Sequence, residues 1–244
     1  MSGAAMVTSA AGGLVSFDLA TTPLREVNQF LHTGLGQTTQ VRIDNPDGAH
    51  SIAVGMDAPV QIDIAGNAGY YAAGMNKHAS VTVHGNAGPS VAENMMSGTV
   101  RVKGFASVAA AASAHGGLLV VEGDAGLRCG ISLKGADIVV GGSVGSFSMF
   151  MAQAGRLVVC GDAGDALGDS LYEAVIYVRG EVKSLGADAR FEPLTEADIA
   201  ALAALLEQAG LHDSDGKPYE PRSFKRIASA RELYHWNVDA NQSY

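Results

Sequence analysis

Apolar and polar positions along this chain recur at an interval of 19 residues. One apolar column runs Ile62, Val81, Val100, Leu119, Ile138, Leu157 and Ile176. A second, two residues later in each repeat, runs Ile64, Val83, Val102, Val121, Val140, Val159 and Val178. Between them lies a mixed column of Asp63, Thr82, Arg101, Val120, Val139, Val158 and Tyr177. Just after them comes another, with His84, Lys103, Glu122, Gly141, Cys160 and Arg179. Alternation with one set always apolar and the other free to vary predicts a strand with one buried face. The same face is buried in every repeat, so equivalent strands must stack in sequence order and therefore run parallel.

Each strand is followed by a short small-residue segment. Gly66-Asn67-Ala68-Gly69 returns as Gly85-Asn86-Ala87-Gly88, Gly104-Phe105-Ala106-Ser107 and Gly123-Asp124-Ala125-Gly126. It continues as Gly142-Ser143-Val144-Gly145, Gly161-Asp162-Ala163-Gly164 and Gly180-Glu181-Val182-Lys183. The leading glycine keeps register throughout, and its third position supplies another inward small or β-branched column. A fixed period with one supersecondary unit per repeat is the signature of a solenoid. The predicted fold is an all-β solenoid, a parallel β-helix with 19-residue coils. A right hand is expected from the chirality of parallel crossovers. Coils rising about 4.8 Å each make a rod of about 33 Å over seven repeats. The seven leading glycines read as structural turn residues, chosen for positive φ at a corner. A second small column, Ala79, Gly98, Gly117, Ala136, Gly155 and Ala174, precedes the next strand. Val41-Arg42-Ile43-Asp44 reads as an earlier rung with looser spacing, where Pro46 intrudes.

Open solenoid ends invite strand addition, so caps are expected. Thr22-Pro23 opens a predicted short helix through Leu31, stopped by Gly34 and Gly36. Thr195-Glu196-Ala197-Asp198 resembles a capping box with Asp in the usual Glu position. It starts an amphipathic helix to Gln208, ended by Gly210, with Ile199, Leu202, Leu205 and Leu206 on one face. The expected organisation is residues 1–40 as N-terminal segment and cap, 41–190 as β-helix, and 191–244 as C-terminal helix and tail. The tail is rich in aromatic and basic residues. It reads either as an arm along the solenoid wall or as a docking segment, with Tyr219, Phe224, Arg226, Arg231, Tyr234 and Trp236 as candidate partner contacts.

Composition narrows the function classes. A net charge of −9 argues against a general affinity for nucleic acid or anionic membranes. Two cysteines, Cys129 and Cys160, are too few for a disulfide framework or a four-ligand zinc site. Free thiols, the absence of a basic-then-apolar start, and glycines and charges interrupting every apolar run lead to an expected cytoplasmic location.

A search for reactive groups returns no catalytic, cofactor-binding or metal-binding residue. None of the Gly-x-Ala-Gly segments is followed by the Lys-Ser/Thr pair of a phosphate loop. His84 sits in an outward column, and His78 and His115 share none, so no ligand spacing emerges. Asp124 and Asp162 share a column two coils apart, about 9.6 Å, which would suit an inverting carboxylate pair. That column also holds Asn67, Asn86 and Ser143, and its simpler reading is a polar turn position. Cys160 has no matching histidine and is not read as a nucleophile.

The stretch from Gly123 to Val140, Gly-Asp-Ala-Gly-Leu-Arg-Cys-Gly-Ile-Ser-Leu-Lys-Gly-Ala-Asp-Ile-Val-Val, resembles the GXGXG β-helix family, as does Gly161-Asp-Ala-Gly-Asp-Ala-Leu-Gly. That family includes the C-terminal domain of the glutamate synthase large subunit. It also includes the β-helix subunit of formylmethanofuran dehydrogenase and of its formyltransferase/hydrolase relatives. The resemblance covers Val60 to Lys183, with Ser107 and Lys183 departing from the second glycine position. The opening Phe17-Asp-Leu-Ala-Thr-Thr-Pro-Leu-Arg-Glu-Val-Asn and the ending Phe224-Lys-Arg-Ile-Ala-Ser-Ala-Arg-Glu-Leu-Tyr are similar to the glutamate-synthase-like β-helix subunit of N-methylglutamate synthase. The resemblance implies a non-catalytic structural subunit of an enzyme complex, without cofactor of its own. It implies a glutamine-amidotransferase-like partner and an FMN-binding synthase partner carrying FMN and an iron–sulfur cluster. The implied overall reaction turns methylamine and glutamate into N-methylglutamate and ammonia. The alternatives are a formylmethanofuran dehydrogenase-like or formyltransferase/hydrolase complex, or a stand-alone carbohydrate-active β-helix.

Overall fold

The structure, a computed structural model, describes residues 8–10 and 13–231. The chain runs through β1 (Thr8–Ala10), β2 (Leu14–Asp18), α1 (Leu24–Thr33), β3 (Gln40–Asp44), β4 (Gln61–Ala65), β5 (Ser80–Val83) and β6 (Thr99–Val102). It continues through β7 (Leu118–Val121), β8 (Lys134–Val140), β9 (Ala154–Val159), β10 (Val175–Val178), β11 (Ala189–Glu192), α2 (Glu196–Ala209) and β12 (Lys225–Ser229). Strands β2 to β10 pair parallel, each with the next in sequence. The fold is a parallel β-helix.

The register is the one the columns require. Val83 pairs with Val102 and Val102 with Val121, and all three are fully buried. The Ala column forms a second ladder, with parallel bridges from Ala68 through Ala87, Ala106, Ala125, Val144 and Ala163 to Val182. A third stretch of each coil closes the loop by alternating residues of left-handed φ. Examples are Tyr71, Ala73 and Met75, then Ala109, Ala111 and Ser113, then Phe147, Met149 and Met151. Their amides bond to neighbouring coils, so Ala109 N–H donates to Leu127 O at 2.9 Å and Ala111 N–H to Val91 O at 2.8 Å. Few of these residues are glycine, and the sequence pattern carried no signal for this conformation.

The leading glycines serve a different purpose from the one expected. Among the seven, only Gly66 has a positive φ. The others are required because the coil beneath comes too close for a side chain. A Cβ on Gly161 would lie 2.7 Å from the carbonyl carbon of Gly142 and 2.7 Å from Ser143 Oγ. Positive φ falls instead in the second small column, at Gly98, Gly117 and Gly155.

The ladder also extends beyond the 41–190 expected for it. β2 is already a parallel rung, and at the other end β12 from the tail pairs antiparallel with β10 and carries β11 outside it. Val41 pairs with Ile62, 21 residues on, which accounts for the looser early spacing. Between β2 and β3 the coil is interrupted by α1, which plugs the N-terminal end with Val27 and Leu31. Asn28 fixes this cap: its amide donates to Ser51 O at 2.9 Å, and its carbonyl accepts from Ala53 N–H at 3.1 Å. Gly34 ends α1, as expected.

Two substitutions test this packing by chemical denaturation. Gly161→Ala is expected to cost about 1–3 kcal/mol, because the clash is with main chain that cannot yield without shifting a coil. Leu119→Ala, in a fully buried ladder, is expected to cost about 2–5 kcal/mol through the cavity it leaves.

Candidate functional site

The outward face of the main sheet changes character along the rod, and that change decides where the C-terminal segment lies. In the first coils the face is polar. His84 Nε2 and Asp63 Oδ1 lie 2.7 Å apart, and Arg101 donates to Glu122 at 2.9 Å. From β7 onward the same column becomes Val120, Val139, Val158 and Tyr177, all buried. The cover is α2 and the tail: Leu202, Leu205, Leu206, Ala209 and Phe224 form one apolar cluster with these sheet residues. α2 begins with the capping box read from the sequence, Thr195 Oγ1 accepting from Asp198 N–H at 3.1 Å and Asp198 accepting from Thr195 N–H at 2.9 Å. It ends at Gly210 with left-handed φ.

A polar cluster pins this cover to the sheet. Tyr177 donates its hydroxyl proton to Asp198 at 2.7 Å, and Arg226 bonds Asp198 at 3.0 Å and also pairs with Glu192. Burial works to raise the Asp198 pKa, but hydrogen bonds from Thr195, Tyr177 and Arg226 outweigh it and bring the value down to about 2. Burial, together with the bond to Asp198, pushes the Tyr177 phenol upward. Beside the cluster, Arg156 forms a two-point bond to Asp137 at 2.7 and 2.8 Å.

Of the six candidate docking residues, four are engaged within the chain. Phe224 is buried in the α2 cluster, and Tyr219 packs edge-on to it with ring centroids 6.4 Å apart while Arg179 stacks over Tyr219. Arg226 holds Asp198 and Glu192. Arg231 pairs with Asp188 and lies over the Tyr172 ring. The segment up to Arg231 is therefore an arm on its own solenoid wall, and burial removes Phe224 from any docking surface. Tyr234 and Trp236 lie outside the described residues.

The reactive-looking side chains are occupied by the stacking itself. Asp124 Oδ1 accepts the amide of Ser143 at 2.7 Å, Ser143 Oγ that of Asp162 at 3.0 Å, and Asp162 Oδ1 that of Glu181 at 2.7 Å. Asn67 and Asn86 do the same one coil at a time. The column after the leading glycine is thus a hydrogen-bonded ladder up the rod, interrupted at Phe105. Both cysteines are free and buried. Burial pushes the Cys129 thiol up to about 12. Burial likewise raises Cys160 to about 12 against the opposing effects of Tyr219 and Arg179. Neither thiol is a nucleophile at neutral pH.

Among the described residues no group of three His, Cys, Asp or Glu side chains gathers with metal-holding geometry. Two clefts lie beside the helices. One of about 640 Å³ lies between the start of α1 and the Pro46 turn, and one of about 520 Å³ lies between α2 and Tyr219. No described helix is long and apolar enough to cross a membrane. The ion pairs were missed by reading columns singly. Side chains 19 apart are neighbours in adjacent coils, as Asp137 and Arg156 are, and those 21 apart are diagonal neighbours, as Asp63 and His84 are.

No protein-family model matches the chain. A segment is 55% identical over 63 residues to Protein GlxC of Rhizobium meliloti (strain 1021), a span of 26% of this chain and 25% of that protein. The chain therefore matches about a quarter of the length of this curated relative.

The Asp198 cluster gives acid sensitivity with a defined sign. Its folded value lies below the ordinary 3.8. The stabilisation is therefore complete above about pH 4 and lost as pH falls through about 2. It is on the order of 2 kcal/mol. In urea titrations across this range, Asp198→Asn is expected to be less stable at neutral pH and to have a flatter acid limb than the wild type.

Proposed function

We propose that this chain is a structural subunit of a glutamate-synthase-type enzyme complex, and specifically of N-methylglutamate synthase. In this reading it positions a glutamine-amidotransferase-like subunit and an FMN-binding synthase subunit. The overall reaction joins methylamine and glutamate to give N-methylglutamate and ammonia. FMN and an iron–sulfur cluster belong to the synthase partner. The reading draws on the glycine-repeat resemblance over Val60 to Lys183 and on the local similarity to Protein GlxC.

The observation that carries the non-catalytic part is the use of polar side chains in the coils. Asp124, Ser143 and Asp162 accept main-chain amides of the next coil, and both thiols are buried and protonated. Each of these carboxylates is turned along the rod to hold a main-chain amide of the next coil, at 2.7 Å for both Asp124 and Asp162. This counts against the carbohydrate-active alternative, which needs two carboxylates facing a sugar. What remains is a stiff rod stacked at a fixed rise. Such a rod suits the task of holding two active sites at constant separation while a reactive amine passes between them.

The test is co-expression with the amidotransferase-like and flavin-binding chains, followed by purification through a tag on this chain. A stable complex with methylamine-dependent activity is expected, with flavin absorbance lost when this chain is purified alone. Recovery of this chain only as a free protein from its native extract would overturn the reading.

A further inference from the structure

The cleft between α1 and the Pro46 turn gathers hydrogen-bond donors that have no partner among the described residues. Thr22 lines it and is only 4% exposed. The Thr22 amide donates to Asp18 O at 2.8 Å, but its hydroxyl bonds to no described residue. Every fully enclosed side-chain oxygen and nitrogen among the described residues has a partner. The Thr22 hydroxyl therefore reaches open space, and the space that Thr22 borders is the cleft. α1 starts on the same side. Its N-cap is Pro23, which supplies no side-chain cap, so the Leu24 N–H beside the cleft has no described partner either.

A third donor follows from how the coils stack. In later coils the amide after the leading glycine is held by a side chain one coil below. Asn67 takes that of Asn86 at 2.8 Å, and Asn86 takes that of Phe105 at 3.0 Å. For Asn67 itself the register of β3 on β4 puts Pro46 in that position, since Asp44 pairs with Ala65. A Cβ on Gly66 would lie 3.0 Å from Pro46 Cγ, so the proline ring is indeed beneath. Proline has no side-chain acceptor to give. The Asn67 N–H is left without a partner among the described residues, at the lining of the same cleft.

Three donors call for a carboxylate-sized acceptor, yet the charge around them does not suit a plain anion. Asp47, also in the lining, is exposed and makes no ion pair with another described residue. Asp18 directly precedes the Leu19–Ala20 part of the lining. Two carboxylates beside a helix N-terminus offset its pull on an anion. A ligand that brings its own positive charge to Asp47 resolves the conflict. The rest of the lining is largely aliphatic, with Leu19, Leu24, Ala49 and Ala65. We propose that the cleft binds a free α-amino acid with an aliphatic side chain. Its carboxylate accepts from the Thr22 hydroxyl and from the Leu24 and Asn67 amides, and its ammonium pairs with Asp47. Its side chain lies on the aliphatic lining. The site belongs to the N-terminal cap and does not depend on the enzyme complex assigned above.

Isothermal titration calorimetry of the full-length chain with L-leucine tests it. Saturable binding at one site is expected. N-acetyl-L-leucine lacks the ammonium and L-leucinamide lacks the carboxylate, and each is expected to bind at least about tenfold more weakly. Asp47→Asn and the near-isosteric Thr22→Val should each weaken L-leucine binding about fivefold or more, with circular dichroism confirming the fold. Pro46→Asn gives the Asn67 amide the acceptor that the later coils have, and is expected to weaken binding as well. No saturable binding of L-leucine at about 10 mM would overturn the proposal. So would either derivative binding as tightly as L-leucine, inorganic phosphate competing equally well, or affinity indifferent to both Thr22→Val and Asp47→Asn.

Discussion

The structure depends on main-chain hydrogen bonding between coils held at a constant interval. Strand bonds account for only one of three stretches in each coil. The Ala ladder and the left-handed stretch bond to the coils above and below in the same way, so the closed circuit is tied at every side. A left-handed non-glycine residue costs on the order of 1 kcal/mol, and this chain contains many of them. They persist because each amide would otherwise be buried without a partner, which costs more. A coil of a different length must loop out or bulge to rejoin the ladder, as between Lys134 and Asp137. The inward columns of the main sheet keep the interval from Ile62 to Ile176, while it departs beside the α1 cap, at the Lys134–Ala154 pairing and at the Leu167–Leu185 bridge.

The same constraint governs what the polar residues are available to do. In a solenoid every outward side chain has a neighbour 19 residues away, directly above it. Asx and serine residues after the leading glycine therefore meet the next amide, and acid–base pairs such as Asp137–Arg156 form between adjacent rungs. The interior of the rod is filled with aliphatic side chains. Surfaces are what such a fold offers. One of them, the apolar second half of the main sheet, is already closed by α2 and pinned through Tyr177, Asp198 and Arg226.

Much of the fold was legible because the repeat makes a local pattern report a long-range contact. Val83, Val102 and Val121 share a column in sequence and therefore a ladder in space. The caps were legible for ordinary reasons, a proline start and Gly34 for α1, and a capping box and Gly210 for α2. The purpose of the leading glycines was not. A glycine required by φ and one required by clearance look alike in a sequence, and Gly161 is of the second kind, facing the Gly142 carbonyl carbon. Tyr219 and Phe224 were equally ambiguous, since aromatic residues serve a private core and a docking surface alike.

The sequence by itself determined the coil length, the inward ladders and the parallel stacking, because a strict period leaves one way to bury the same face in every repeat. Only the tertiary structure decided which outer surfaces stay open. Where α2 comes to rest depends on the sum of an apolar wall beginning at Val120 and an ion cluster drawn from three distant segments. The exposure of Phe147 depends equally on the direction in which its left-handed backbone aims it. Such outcomes arise from packing between elements far apart in the chain, and no periodicity records them.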